Sequence, residues 1–308
     1  MRRPLVGLLV VSFGWAWLGP STAAATPSTI SVSRDHAKQL GLALRQCHEV
    51  RRRFPPAHSM RGDHPPVSWR IHVLAYADLR YLYDRYDVDE PWDGPENSTL
   101  ADCRPPVYWS DFGRGKRYTR EGTLLDAEGR PLLKDCETAF VAVTGPETAW
   151  FDPKGTRLRD VTDGPEDTIV LLEVPNSGIH WMEPRDFTWE DVAARMKPGA
   201  EPSLFTRRVV EQTFLTRKEI SGTHAVLADG GVIFLPANIT PEQLRALITA
   251  NGGEEIDLRD LLESVPVEYE VKYDLDFALG MTVVLGTVAL VTMTIWLVER
   301  RRKRRCAA

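Results

Sequence analysis

The sequence predicts an α+β protein with a C-terminal transmembrane helix, on three observations. The first part of the chain contains segments with the three- and four-residue apolar spacing of amphipathic helices. From about residue 105 to 232, short β-rich runs alternate with turns that contain Gly, Pro and Asp. Residues 277–298 are 22 positions without a charge, which is long enough for a helix that crosses a bilayer.

The N-terminus has the layout of a secretory signal peptide. Arg2 and Arg3 precede an apolar run over residues 4–18, and Ser-Thr-Ala-Ala-Ala follows it. Small residues suit a cleavage position, so we expect residues 1–25 to be removed during export. The alternative interpretation is an uncleaved N-terminal anchor.

The first helix is predicted over residues 35–53. Its apolar stripe recurs every three or four positions and consists of Ala37, Leu40, Leu44 and Cys47. The run Phe54-Pro55-Pro56 ends it, because proline cannot continue a helix.

A second amphipathic segment follows Ser68-Trp69-Arg70. Its stripe comprises Ile71, Leu74, Ala75, Leu79, Leu82 and Tyr86. Strands are then expected in the β-rich runs 138–143 and 168–174.

A β-hairpin is predicted between the apolar runs 224–228 and 232–235. Asp229, Gly230 and Gly231 can supply the positive φ angles of a tight turn. His224 and Asp229 are five positions apart, so an extended strand points them to opposite faces, which argues against a catalytic dyad. The following helix begins at Thr240 with a capping box to Gln243.

The orientation in the membrane is predicted from the tail, residues 299–308. It contains the basic residues Arg300, Arg301, Arg302, Lys303, Arg304 and Arg305. Positive residues stay on the cytoplasmic side, so we expect a single-pass cell-membrane protein with a cytoplasmic C-terminus and an extracytoplasmic domain. The same basic block argues against a buried core helix at 277–298.

The charge distribution excludes one class of partner. The formal net charge is −5, and setting aside the two N-terminal arginines and the net +5 of residues 299–305 leaves −12 for the rest. Such an acidic surface repels phosphate backbones, so no nucleic-acid binding is expected. The expected partners are the membrane and proteins of the envelope.

The cysteines divide between the two sides of the predicted membrane. Cys47, Cys103 and Cys136 lie in the external part, and Cys306 lies just inside. Cys103 and Cys136 flank a loop-rich stretch and form the candidate disulfide, worth about 3–4 kcal/mol of stability. Cys47 falls on the apolar stripe of the first helix, where a thiol acts as a small hydrophobe.

No pattern of catalytic or cofactor-binding residues is present. The chain lacks the GxSxG, HExxH, P-loop and Rossmann motifs. His58, Asp63 and His64 have irregular spacing for a metal site, and the acidic loop 160–167 lacks the alternation of an EF-hand. We therefore predict no catalytic residue, no metal and no cofactor.

Several collinear blocks resemble a known family. They include AKQLGLALRQCHEVRRRFPPA (37–57), SWRIHVLAYADLRYLYDRYDVDEPWDGPEN (68–97), VTGPETAWF (143–151), DGPEDTIVLLEV (163–174), WMEPRDF (181–187) and ADGGVIFLPANITPEQLRALITANGGE (228–254). Together they resemble DUF1559, a planctomycete family of pilin-like extracytoplasmic domains without an established reaction.

The resemblance implies the fold of type IV pilins and pseudopilins, in which an N-terminal helix lies on an antiparallel sheet. The expected divisions are a signal peptide (1–25), a pilin-like domain (26–256), a juxtamembrane linker (257–276), a transmembrane helix (277–298) and a basic tail (299–308). The chain departs from the family pattern because it lacks the prepilin motif Gly-Phe-Thr-Leu-Ile-Glu. This departure argues against pilus-type assembly through an apolar N-terminal helix.

Two functions follow as hypotheses. The first is a non-enzymatic membrane protein that displays the domain for protein–protein or envelope contacts. The alternative is an envelope hydrolase or carbohydrate-binding module that uses the carboxylates near Trp92 or Asp163. A glycoside hydrolase would need two of them at a cleft about 5–10 Å apart.

Overall fold

The computed structural model describes residues 29–60, 62–110, 117–118, 124–125, 131–133, 136–174, 176–212, 216–253, 258–265, 267–273 and 275–306. The predicted signal peptide lies outside these residues. The helices are α1 (Thr29–Arg51), α2 (Trp69–Leu74), α3 (Arg80–Tyr83), α4 (Trp189–Met196), α5 (Pro241–Ile248), α6 (Leu258–Ser264) and α7 (Leu275–Cys306). Short 3-10 turns occupy Asn97–Leu100, Pro106–Tyr108 and Leu158–Asp160.

The main sheet has six antiparallel strands. They are β6 (Phe140–Ala142), β7 (Ile169–Glu173), β8 (Thr206–Gln212), β9 (Thr216–Leu227), β10 (Val232–Pro236) and β11 (Tyr269–Tyr273). The order β10-β9-β7-β6 forms one path, and β8 and β11 pair with the other half of the long strand β9. Two small sheets are formed by β1 (His58–Ser59) with β2 (Val67–Ser68) and by β3 (Arg117–Tyr118), β4 (Leu124–Leu125) and β5 (Pro131–Leu133).

Helix α1 lies on the sheet with its predicted stripe buried. Ala37, Leu40, Leu44 and Cys47 are at most 2% exposed. The helix begins before the predicted residue 35 and ends at Arg51, ahead of the two prolines. This confirms the α+β class with an N-terminal helix packed on an antiparallel sheet.

The second predicted helix is broken in two. Asp78 has φ +57°, and the chain makes a turn between α2 and α3. Ser68 caps α2, since its side chain accepts the N–H of Arg70 at 3.3 Å. The stripe is nevertheless buried at Ile71, Leu74, Leu82 and Tyr86, because the two short helices place the same residues in the core.

The sheet has a hydrophobic core on each face. Leu171 and Val226 belong to the core under α1, whereas their neighbours Leu172 and Ala225 belong to the core under α4, α5 and α6. This alternation follows from the two-residue period of a strand. The resemblance alone did not imply the helices on the second face.

The turn between β9 and β10 contains Asp229, Gly230 and Gly231. Gly230 has φ +89°, a conformation that glycine adopts without strain. Asp229 Oδ1 accepts the N–H of Gly231 at 2.7 Å, and Leu227 donates its N–H to Gly231 O at 2.9 Å. Helix α1 crosses this turn at Gly41, where a Cβ would lie 2.6 Å from Gly230 O.

The C-terminal region contains regular structure. Residues 257–276, predicted as a linker, hold α6 and β11, and β11 adds a strand to the main sheet. The helix predicted over 277–298 lies inside α7, which has 32 residues. In the described part of the chain, no helix is found that is long and apolar enough to cross a membrane.

Candidate functional site

The most polar part of the interior is a buried pair between Glu173 and His224. Glu173 ends β7 and His224 lies in β9, and they are 0% and 1% exposed. Two positions away on the same strands, Leu171 and Val226 pack under α1, so Glu173 and His224 also face that helix. His224 Nδ1 lies 2.7 Å from Glu173 Oε2, and the His224 backbone N–H donates to the same oxygen at 3.3 Å.

Two serines extend this pair toward α1. Ser110 Oγ donates to Glu173 Oε1, and Ser33 Oγ of α1 lies 2.9 Å from Ser110 Oγ. Both serines are fully buried. We call Ser33, Ser110, Glu173 and His224 the polar cluster. Because a buried polar group is costly without partners, these bonds fix the position of α1 on the sheet.

The polar cluster contains the residue types of a serine hydrolase, but its hydrogen bonds differ from those of a catalytic triad. In a catalytic triad, the histidine takes the serine proton through one nitrogen while the carboxylate binds the other. Here the serine binds the carboxylate, and His224 Nε2 is buried without a hydrogen-bond partner among the described residues. The His224 ring meets Phe234 edge-on at 5.5 Å. The geometry therefore supports packing rather than nucleophile activation.

A second buried charge network joins Arg70 and Asp186. Their Nη2 and Oδ1 atoms are 2.5 Å apart, and both side chains are at most 2% exposed. Trp69 Nε1 and the Ala142 N–H donate to the same carboxylate. Burial raises the pKa of Asp186, while the Arg70 charge acts in the opposite direction. Arg70 also donates to Phe140 O at 3.3 Å, so the network connects α2 with β6.

The loop around Trp92 is held by its own carboxylate. Glu90 Oε2 accepts the backbone N–H groups of Glu96 and Asn97, each at 2.9 Å. The half-buried Trp92 ring lies 4.8 Å from His180 and packs against the α1-side core. Trp92 therefore anchors this loop to the domain.

The carboxylates of the acidic loop 160–167 also accept backbone N–H groups. Asp163 accepts the N–H groups of Gly252 and Gly253 at 2.8 and 3.0 Å, and Asp167 accepts that of Leu258 at 3.2 Å. These bonds connect the loop to the chain after α5. Within the described ranges, no group of three or more His, Cys, Asp or Glu side chains is placed to hold a metal ion.

The two candidate disulfide cysteines lie on neighbouring segments. Arg104, next to Cys103, donates to the carbonyl of Glu137, next to Cys136, at 2.6 Å. The structure has Cys103 as an exposed thiol and Cys136 half-buried. A bridge between them stays a prediction.

The basic tail is partly described. The backbone of α7 continues through the tail to Cys306, and the Arg300 guanidinium lies 5.0 Å above the Trp296 ring. The side chains of Arg301, Arg302, Lys303, Arg304 and Arg305 lie outside the described residues. Their role in topology stays a prediction.

Sequence reasoning missed the partner of His224. Glu173 is 51 positions away, and no local spacing connects the two residues. A usable signal was nevertheless present, because Glu173 is the one charged residue in the apolar strand sequence Ile-Val-Leu-Leu-Glu. A carboxylate in a buried strand requires a partner.

Comparison with known proteins places the chain in a sequence family. The family model described as a protein of unknown function, DUF1559, matches residues 33–242. That range covers α1 from Ser33 onward, the sheet through β10 and the start of α5. No curated protein and no solved structure matches the chain.

Proposed function

The chain belongs to the DUF1559 family of unknown function, and from that premise we propose that it is a non-enzymatic membrane protein. It displays a pilin-like domain outside the cell for contacts with proteins or other components of the envelope. Residues 1–25 direct export, residues 277–298 anchor the protein, and the basic tail stays in the cytoplasm. The packing of α1 on the antiparallel sheet supports the pilin-like assignment.

The non-enzymatic proposal rests on what the candidate catalytic side chains bind. Glu90, Asp163 and Asp167 accept backbone N–H groups that shape loops. Glu173 and His224 bind each other in a buried interior. A general acid or base must reach a substrate within hydrogen-bond distance, and these groups are bound to the protein itself.

The proposed anchor rests on the sequence and on the surface of α7. The sequence has no charge over 277–298 and six basic residues directly after Glu299. The apolar side chains that are more than half exposed on this helix are Val283, Leu285, Val288, Leu290, Val291, Met293, Ile295 and Trp296. A surface of this kind favours a lipid environment over water.

A turnover assay tests the non-enzymatic proposal against the hydrolase alternative. The purified full chain in mild detergent is incubated with fluorogenic glycoside, ester and peptide substrates. Glu90→Gln and Asp163→Asn remove the loop carboxylates, and Glu49→Gln changes an exposed carboxylate of α1 as the control. We expect all four proteins to give the background rate. Turnover that is retained in the control but lost in either loop variant would establish a hydrolase.

A further inference from the structure

A pocket lined by arginines lies at the C-terminal end of α1. Its volume is about 520 Å³, and its lining residues are His48, Arg52, Arg53, Arg157, Leu158 and Arg159. Four arginines therefore line one cavity in a chain whose formal net charge is −5. None of the functions considered above uses this pocket.

Backbone contacts hold the two walls of the pocket together. Arg52 adopts φ +60° and donates its N–H to His48 O at 2.7 Å, which turns the chain out of α1. Phe54 then donates to Thr156 O at 2.8 Å, so the exit from α1 lies beside the segment that carries Arg157. Gly155, with φ +88°, permits this approach, because a Cβ at that position would overlap Phe54 O. The pocket is therefore preformed.

Nearby carboxylates neutralise only part of the positive charge. Arg53 Nη1 lies 2.9 Å from Asp152, and Arg159 Nε lies 3.7 Å from Asp160. Neither Arg52 nor Arg157 forms an ion pair within the part of the chain that the structure describes. Two guanidinium groups thus remain available to an anion.

His48 is expected to be neutral at the wall of the pocket. Its Nε2 accepts the Leu158 N–H at 3.2 Å, which requires an unprotonated nitrogen. Burial lowers the pKa of His48, and the charge of Arg52 lowers it further. The imidazole therefore positions the Leu158 turn, and the charge of the pocket comes from the arginines.

Favourable interactions at the helix C-terminus account for the arginines on only one wall of the pocket. Basic residues are favoured at a helix C-terminus, where the carbonyls carry partial negative charge, and this accounts for arginines that directly follow α1. Arg159 lies in the 3-10 turn Leu158–Asp160 and Arg157 directly precedes it, far from α1 in the sequence, so their position at the same cavity is a separate feature.

We propose that this pocket binds a compact anion of the diphosphate class, with Arg52 and Arg157 as the principal ligands. Guanidinium groups present paired N–H donors that match phosphate oxygens. Pockets of about 300–1,000 Å³ accommodate small-molecule ligands, so this one has room for more than a single phosphate. The formal net charge of −5 favours a small ligand over a long polyanion, which the acidic chain as a whole would repel. The phosphates can belong to a soluble compound or to a lipid headgroup.

Calorimetric titration of the full chain with pyrophosphate tests the site. The protein is kept in mild detergent at low ionic strength, since salt screens the interaction. Arg157→Gln removes one proposed ligand, and Arg52→Asn removes the other with a residue that tolerates positive φ. Arg80→Gln is the matched control, because Arg80 lies on α3 in an exposed pair with Asp84. Thermal unfolding of each variant verifies that it is folded.

We expect pyrophosphate to bind to the wild type and to Arg80→Gln with similar affinity, within about twofold. Each pocket variant should bind about tenfold more weakly, equivalent to about 1.4 kcal/mol. A short-chain, soluble lipid diphosphate such as geranyl diphosphate in a parallel titration distinguishes the sources. Tighter binding than pyrophosphate indicates a lipid headgroup, and weaker binding indicates a soluble diphosphate. The proposal is overturned if neither probe binds, or if folded pocket variants bind as tightly as the control.

Discussion

At the scale of single residues, Glu173 has the clearest structural role. Its two carboxylate oxygens accept bonds from Ser110 and from His224 of β9, and Ser110 in turn contacts Ser33 of α1. The donors and the carboxylate have no access to water, since Ser110, Glu173 and His224 are at most 1% exposed. The polar cluster thus specifies where α1 lies on the sheet, in addition to the apolar stripe.

Replacing Glu173 by glutamine should destabilise the protein. The amide presents donors where Ser110 or His224 already donates, and it removes the charge that pairs with the imidazole. We expect the free energy of unfolding to fall by about 2–4 kcal/mol, as for other broken buried pairs. Denaturant unfolding, followed by tryptophan fluorescence, measures this change.

Glu49→Gln provides the matched comparison. Glu49 forms an exposed pair with Arg45 at 3.7 Å, and exposed pairs contribute about 0–1 kcal/mol. Equal unfolding midpoints for Glu173→Gln and Glu49→Gln would show that the polar cluster does not stabilise the fold.

At the scale of secondary-structure elements, the close contact between α1 and the β9–β10 turn determines how near the helix lies to the sheet. Gly41 in α1 and Gly230 in the turn allow the two backbones to approach each other. Alanine is the better helix former by about 1 kcal/mol, so glycine at position 41 costs helix propensity. The tight packing of α1 on the turn offsets that cost.

Gly41→Ala should therefore destabilise the protein despite its higher helix propensity. The new Cβ would lie 2.6 Å from Gly230 O and 3.1 Å from Val226 Cγ1, so α1 must shift away from the turn. We expect a net loss of about 1–2 kcal/mol, measured by chemical denaturation, because overpacking typically costs 1–3 kcal/mol. Gly145→Ala is the control, since its added Cβ meets only Thr148 Cγ2 at an ordinary 3.5 Å. An increase in stability for Gly41→Ala would refute the close-contact explanation.

The elements that the sequence predicted correctly are those with local signals. The stripe of α1 has helical periodicity, and α5 has Thr240, Pro241 and Gln243 at its start. The pairing of β9 with β7 and β11 was not predictable in this way, because strand order depends on residues distant in the chain. The break at Asp78 was missed because the apolar stripe continues across it.

The same distinction applies to the candidate sites. The absence of a His224–Asp229 dyad followed from strand alternation, which is local. The pairing of His224 with Glu173, and the convergence of Arg52 with Arg157, depend on tertiary contacts between distant segments. Neither could be derived from spacing.

At the scale of the whole molecule, a folded α+β domain is followed by helix α7, which we propose to be the membrane anchor. The domain has cores on both faces of its sheet, whereas α7 exposes apolar side chains between Val283 and Leu297. A protein with these two parts is suited to presenting a folded domain at a membrane surface. We propose that the chain crosses the membrane between residues 253 and 308.

Reporter fusions measure that topology directly. Alkaline phosphatase, which needs an oxidising compartment to form its disulfides, is fused after Gly253 in one protein and after Ala308 in another. A fluorescent protein that matures only in the cytoplasm is fused at the same two positions. We predict phosphatase activity only for the Gly253 fusion and fluorescence only for the Ala308 fusion. Phosphatase activity at both positions, or fluorescence at both, would contradict a membrane crossing between residues 253 and 308.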